Sequence, residues 1–131
     1  MTQQSNEFLG IDHHSIIIQD VEKSCHFYAD ILGLEIDANR PDLSFDGLWV
    51  KVGKQQAIHC LCLQNPDSVD NRPEHGGRDR HVCLVVSDMN TLIDTLEQHY
   101  IDYTRSKSGR QAIFFRDPDG NAIEVGQAKA E

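Results

Sequence analysis

The stretch HHSIIIQDV at residues 13–21 returns 68 positions later as HVCLVVSDM at residues 81–89. Each copy begins with a histidine, runs through an apolar segment of strand length, and reaches an aspartate where a helix would start, Asp20 before Val21 and Asp88 before Met89. A second match follows at an offset of 65, with WVKVGKQQAIHCL at 49–61 over FFRDPDGNAIEVG at 114–126. The three-residue difference is an ordinary loop deletion. Self-similarity on this scale means one supersecondary unit used twice.

Each unit has the order strand, helix, strands. Apolar runs of strand length lie at 15–18, 48–52, 57–63, 81–86, 112–115 and 122–125. Between the first two, residues 21–34 carry Val21, Cys25, Tyr28, Ile31 and Leu32 at helical spacing, with Asp20 as the cap and Gly33 as the stop. Leu92, Ile93 and Leu96 form the stripe of a second helix over 89–99. The chain therefore divides into a first module near 8–63, a linker at 64–79 rich in Asn, Asp, Pro and Gly, and a second module near 80–127, all within one domain. The RDPDGN run at 116–121 is a tight turn joining two strands.

Composition limits the partners. Twenty-one acidic residues against 12 basic ones give a net charge of −9, which disfavours a protein that holds phosphate backbones. The expected partner is a small molecule, a metal or another protein, not nucleic acid. The four cysteines are too few for a disulfide scaffold, and three lie in apolar runs, so they read as reduced thiols. The opening MTQQSNEFLG has no basic start and apolar stretch, and no run is long enough to span a bilayer, which leads us to expect a cytoplasmic protein with no membrane partner.

The superposition pairs His13 with His81, and His59 with Glu124. All four residue types bind divalent metals, yet the separations within each unit are 46 and 43 residues, so only folding could assemble a site. Three of the seven histidines fall on repeat-related positions, and a glutamate takes the fourth. This coincidence selects His13, His59, His81 and Glu124 as candidate metal ligands. His14 faces Val82 in the superposition and points to the other side of its strand, a structural residue. His26, His75 and His99 take solvated or capping roles by default. Three imidazoles and a carboxylate suit Zn, Ni, Co, Mn or Fe(II) and leave two open places on an octahedral ion. Glu124, the only acidic member, is the candidate for proton transfer.

The segments IDHHSIIIQDVEKSCHFYADILGLEI (11–36), RHVCLVVSD (80–88) and AIFFRDPDGNAIEV (112–125) resemble the vicinal oxygen chelate superfamily, the glyoxalase, bleomycin-resistance and extradiol dioxygenase group. The similarity runs from Gly10 to Gly126. It implies an α+β fold of two tandem βαβββ modules, whose curved mixed sheets enclose a metal and substrate cavity. By position, it assigns ligand roles to His13 and His81 at the module starts and to His59 and Glu124 in the last strands. Where glyoxalase I usually carries a carboxylate or glutamine, this chain has His59, which removes a negative charge.

The resemblance implies a metal-dependent lyase or isomerase of the glyoxalase I type, working on a small substrate that chelates the metal through vicinal oxygens. A homodimer is implied too, with the cavity either within one chain or shared. An anionic substrate such as a glutathione adduct would draw on Arg78, Arg80, Lys51 and Arg110. Other readings open within the superfamily are a non-catalytic drug-binding protein and a metal-dependent thiol transferase, epimerase or dioxygenase.

Overall fold

Asp20 and Asp88 start the two helices as their spacing predicts. Lys23 N–H donates to Asp20 Oδ1 at 3.2 Å, and Asn90 N–H donates to Asp88 Oδ1 at 3.1 Å. Each aspartate satisfies an amide that the first helical turn would leave without a partner. In the computed structural model, which describes residues 5–130, each helix connects strands within one of two sheets built to one plan. The MTQQ start of the segment weighed for a leader lies outside the described residues. No described helix is long and apolar enough to cross a membrane.

The first unit comprises β1 (His13–Ile18), α1 (Val21–Cys25) running on into a π-helical turn (His26–Ile31), β2 (Glu35–Ile36), β3 (Gly47–Val52) and β4 (Gln56–Cys62). A 3-10 turn (Gly76–Arg78) precedes β5 (His81–Val86), α2 (Met89–Gln98), β6 (Tyr103–Arg105), β7 (Ala112–Arg116) and β8 (Ala122–Gln127). The strand orders are β1-β4-β3-β2 and β5-β8-β7-β6, with only the β1/β4 and β5/β8 pairs parallel. The two-module α+β fold expected from the repeat is the fold observed.

Two short strands lie outside the expected runs. β2 has two residues and β6 three, and both are edge strands with one neighbour each. They have too few apolar residues for a periodic signal, and their position is set by β3 and β7. The first helix also ends at Ile31, not Leu34: Leu32 N–H reaches Phe27 O at 3.0 Å, a π-type bond, and Gly33 at φ 78° then turns the chain away. The last strand of that unit, β4, stops at Cys62, leaving Leu63 40% exposed.

One core joins the modules. Ile18, Val50, Ile58 and Cys60 of the first sheet cluster with Ile113, Phe115, Ile123 and Val125 of the second, and Phe27, Leu96 and Met89 fill the space between. The helix-bearing faces are thus buried on each other, and the opposite faces carry the candidate ligands. β5 shows this division in its burial, with His81, Cys83 and Val85 outward and Val82, Leu84 and Val86 inward.

The 116–121 turn connects β7 to β8 as expected, and it also locks the modules together. Asp117 is 5% exposed and accepts from Tyr28 Oη at 2.7 Å, while Asn121 Nδ2 donates to Ile17 O at 3.0 Å and Gln19 N–H to Asp119 Oδ1 at 3.1 Å. The 64–79 segment is likewise pinned. Arg72 and Arg116 both bind the Asp79 carboxylate, at 3.0 and 2.8 Å, and His75 Nδ1 meets Thr104 Oγ1 at 2.6 Å.

Candidate metal and substrate site

Register places the four candidate ligands. In the first sheet His13 lies opposite Ala57 and Ser15 opposite His59, so both histidines sit on one face of neighbouring strands. In the second, His81 lies opposite Ala122 and Cys83 opposite Glu124, the same offset. The antiparallel neighbours match too, with Trp49 opposite His59 and Phe114 opposite Glu124.

The second pair is in direct contact. His81 Nε2 stands 3.2 Å from Glu124 Oε1, and His81 Nδ1 stands 2.8 Å from the carbonyl of Asp79. A carbonyl can only accept, so Nδ1 carries a proton and donates it there. Nε2 then meets the Glu124 carboxylate, a contact that a proton or a metal ion between the two atoms would make favourable. A histidine that binds a metal through one ring nitrogen usually donates the N–H of the other to a carbonyl or carboxylate, as His81 does to Asp79.

The HGGRDRH sequence at 75–81 makes this contact possible. A Cβ on Gly76 would stand 3.4 Å from both Ala122 Cβ and Phe114 Cβ, and one on Gly77 would stand 2.8 Å from His75 Nε2 and 3.2 Å from Phe114 Cζ. Gly76 packs on the sheet at contact distance, Gly77 leaves room for the His75 ring, and the segment brings the Asp79 carbonyl to His81. Burial would raise the Asp79 carboxyl, but the Arg116 hydrogen bond, the Arg80 amide and the Arg72 and Arg116 charges outweigh it and hold it below the ordinary carboxylate value.

The first pair carries the same donors in a different posture. His13 and His59 stack at 3.8 Å with planes 16° apart, and Trp49 stacks on His59 at 4.1 Å and 4°. Lone pairs lie in the ring planes, so two parallel rings do not aim at one point. His13 Nδ1 is 2.7 Å from Asp12 Oδ2, which again leaves Nε2 as the free nitrogen. Partial burial, and then the neighbouring His13, holds His59 below the ordinary imidazole value and favours its neutral, ligating form. Among the described residues, no three His, Cys, Asp or Glu side chains converge as a metal site. The four candidates thus form two pairs within one chain.

Of the substrate candidates, Arg110 reaches this site, donating from Nη1 to Glu124 Oε2 at 2.8 Å. Lys51 instead faces Glu35 at 3.8 Å, Arg80 pairs with Asp67 at 3.0 Å, and Arg78 is exposed on the 3-10 turn. Trp49, Phe114 and Asp79 shape the pairs and were not among the sequence candidates. The signal for Trp49 and Phe114 was available, since they occupy matching positions of the repeat. No comparable signal marks Asp79, whose contact is made by its backbone. His14 is half-buried, with burial lowering its pKa, and lines a polar cleft of about 200 Å³ with Arg72, Asp79 and Asn121. A more apolar hollow of about 500 Å³ lies between the first helix and the second module, lined by Phe27, Ile31, Ile101 and Pro118 among others.

Comparison with known proteins agrees with the fold. Residues 10–125 match the family model of the Glyoxalase/Bleomycin resistance protein/Dioxygenase superfamily. "Glyoxylase I 4" of Arabidopsis thaliana is 33% identical over 122 residues, covering 88% of this chain and 69% of that protein. A glyoxalase family protein from Bacillus anthracis superposes with a TM-score of 0.76 at 23% identity, over 96% of this chain and all of the other. TnmS3, an antibiotic binding protein from Streptomyces sp. CB03234, superposes with a TM-score of 0.72 at 19% identity, over 95% and 100%. The two superpositions speak for the fold.

Proposed function

The chain belongs to the Glyoxalase/Bleomycin resistance protein/Dioxygenase superfamily, and on that basis we propose that it is a metal-dependent glyoxalase-like enzyme. Its substrate in this reading is a small carbonyl compound that meets the metal through neighbouring oxygens. The observation that carries the reading is the His81–Glu124 pair, an imidazole nitrogen 3.2 Å from a buried carboxylate with the other nitrogen committed to Asp79. His13 and His59 complete the donor set. A divalent ion held by these four would supply Lewis acidity toward an enolate or alkoxide oxygen.

Glu124 is the acid–base group of this set. One carboxylate oxygen would take a proton from a substrate carbon and return it to the neighbouring carbon, leaving the enzyme unchanged over the cycle. Glu124 is 6% exposed beside its cross-strand neighbour Phe114, and that burial limits the access of water to the proton.

The complete set would form between two chains, with the His13–His59 pair of one facing the His81–Glu124 pair of the other. Support comes from the separation of the pairs within one chain and from the sheet edges. β1 and β5 are edge strands, and their ligand-side residues His13, Ser15, His81, Cys83 and Val85 are exposed. A two-fold dimer makes both shared sites at once.

The test is to strip the protein with a chelator, titrate it with Ni, Zn, Co, Mn and Fe(II) by calorimetry, and assay each form on thiol adducts of 2-oxoaldehydes. Absence of binding and turnover with every ion would overturn the enzyme reading. The apolar hollow beside Phe27 and Ile31 favours a second reading, capture of a drug-like molecule without chemistry. Tight binding of such a compound to metal-free protein would select it.

A further inference from the structure

Glu124 Oε1 faces His81, and Oε2 is taken by Arg110. The guanidinium comes from the loop between β6 and β7, where Gly109 at φ 86° turns the chain, and it lies over Gly126. A Cβ on Gly126 would stand only 3.2 Å from Arg110 Nη2, so this glycine gives the guanidinium its seat. The two partners differ sharply in exposure, with the Glu124 side chain 7% exposed and that of Arg110 61%. A buried carboxylate needs a positive neighbour, whereas an exposed guanidinium can return to water at little cost.

We propose that Arg110 is a displaceable counter-ion: it neutralises Glu124 until a divalent cation takes the carboxylate, and it is then free to bind an anionic group of the ligand. The proposal rests on the metal reading above and adds the ligand class, an oxyanion such as a carboxylate, phosphonate or sulfonate. Arg110 and the cation compete for one carboxylate, so the arginine weakens cation binding. Its release supplies a planar fork of donors that fits an oxyanion in bidentate fashion. Cation and anion therefore bind with positive coupling, since each gains when the other has opened the Arg110–Glu124 pair.

Co²⁺ titrations of wild type, Arg110→Ala and Arg110→Lys test this, followed by calorimetry and by the fluorescence of Trp49, the only tryptophan. Arg110→Ala should bind Co²⁺ about threefold to tenfold more tightly than wild type, the range expected when a half-exposed ion pair no longer competes. Arg110→Lys, which keeps the charge and guards against loss of fold, should fall between them. At constant ionic strength, sulfate should tighten Co²⁺ binding to wild type and leave Arg110→Ala unchanged. Equal or weaker Co²⁺ binding by Arg110→Ala overturns the proposal and leaves the metal reading standing, as does an equal sulfate effect in both proteins. Absence of Co²⁺ binding by all three overturns both.

Discussion

Tyr28 and Asp117, 89 residues apart in sequence, meet in a buried 2.7 Å hydrogen bond between the first helix and the β7–β8 turn. Burial pushes the Asp117 carboxyl above the usual range despite hydrogen bonds from Asn121 and Tyr28. Burial, together with the Asp117 charge, pushes the Tyr28 phenol well above 10.0. The contact joins the modules through groups that are costly to leave without partners. Tyr28→Phe should therefore lower stability by about 1–3 kcal/mol in urea unfolding. An unchanged midpoint would mean that the apolar core alone holds the modules together.

Tyr100 ends the second helix at φ 56°, in the left-handed region, whereas glycine serves after the first helix. Its side chain is 94% exposed, so nothing visible in packing offsets the strain. Tyr100→Gly should raise stability by about 0.5–1 kcal/mol, read as a higher melting temperature. A lower one would show that the tyrosine has a partner in solution.

Asp79 holds the 64–79 segment through Arg72 and Arg116. Its folded pKa lies below the ordinary carboxylate value, so its contribution to stability is present above about pH 3.9 and is lost as pH falls through the folded value. Asp79→Asn should destabilise the protein at pH 7 and much less at pH 3, measured by denaturant unfolding at both. An equal difference at the two values would refute the ion-pair account.

His59 sits against Trp49, and its pKa is held below 6.5 by burial and by His13. Protonation of His59 should quench the Trp49 emission, because imidazolium accepts an electron from excited indole more readily than imidazole does. The midpoint should lie below pH 6.5, and His59→Gln should abolish the transition. A proton then binds the unfolded chain more readily than the folded one, so the same residue makes stability decline as pH falls below 6.5.

Shared sites predict rescue by mixing. A His13→Ala/His59→Ala chain and a His81→Ala/Glu124→Gln chain should each lose metal retention and activity. Co-refolded together, they should regain about half of one wild-type complement per mixed dimer, because one of its two sites is intact. Failure to recover in verified mixed dimers would place the site within a single chain.

Much of this architecture was legible along the chain because the unit occurs twice. The 68- and 65-residue offsets align His13 with His81 and His59 with Glu124, and the strand registers obey the same correspondence. Strand parity and aspartate caps are local properties, set by the side-chain period of two and by unpaired amides. The short strands β2 and β6 were not legible, since their neighbours hold them more than their own residues do.

What only the tertiary structure decided depends on contacts between distant segments. It made the 116–121 turn an inter-module lock, pinned the 64–79 segment with two arginines, and seated Arg110 on Glu124. It also kept the two ligand pairs from converging, because the shared core takes up the opposite face of each sheet. The sequence by itself determined which residues repeat, since periodicity is a one-dimensional property. Which residues meet depends on how two hydrophobic faces pack, and that is settled only in three dimensions.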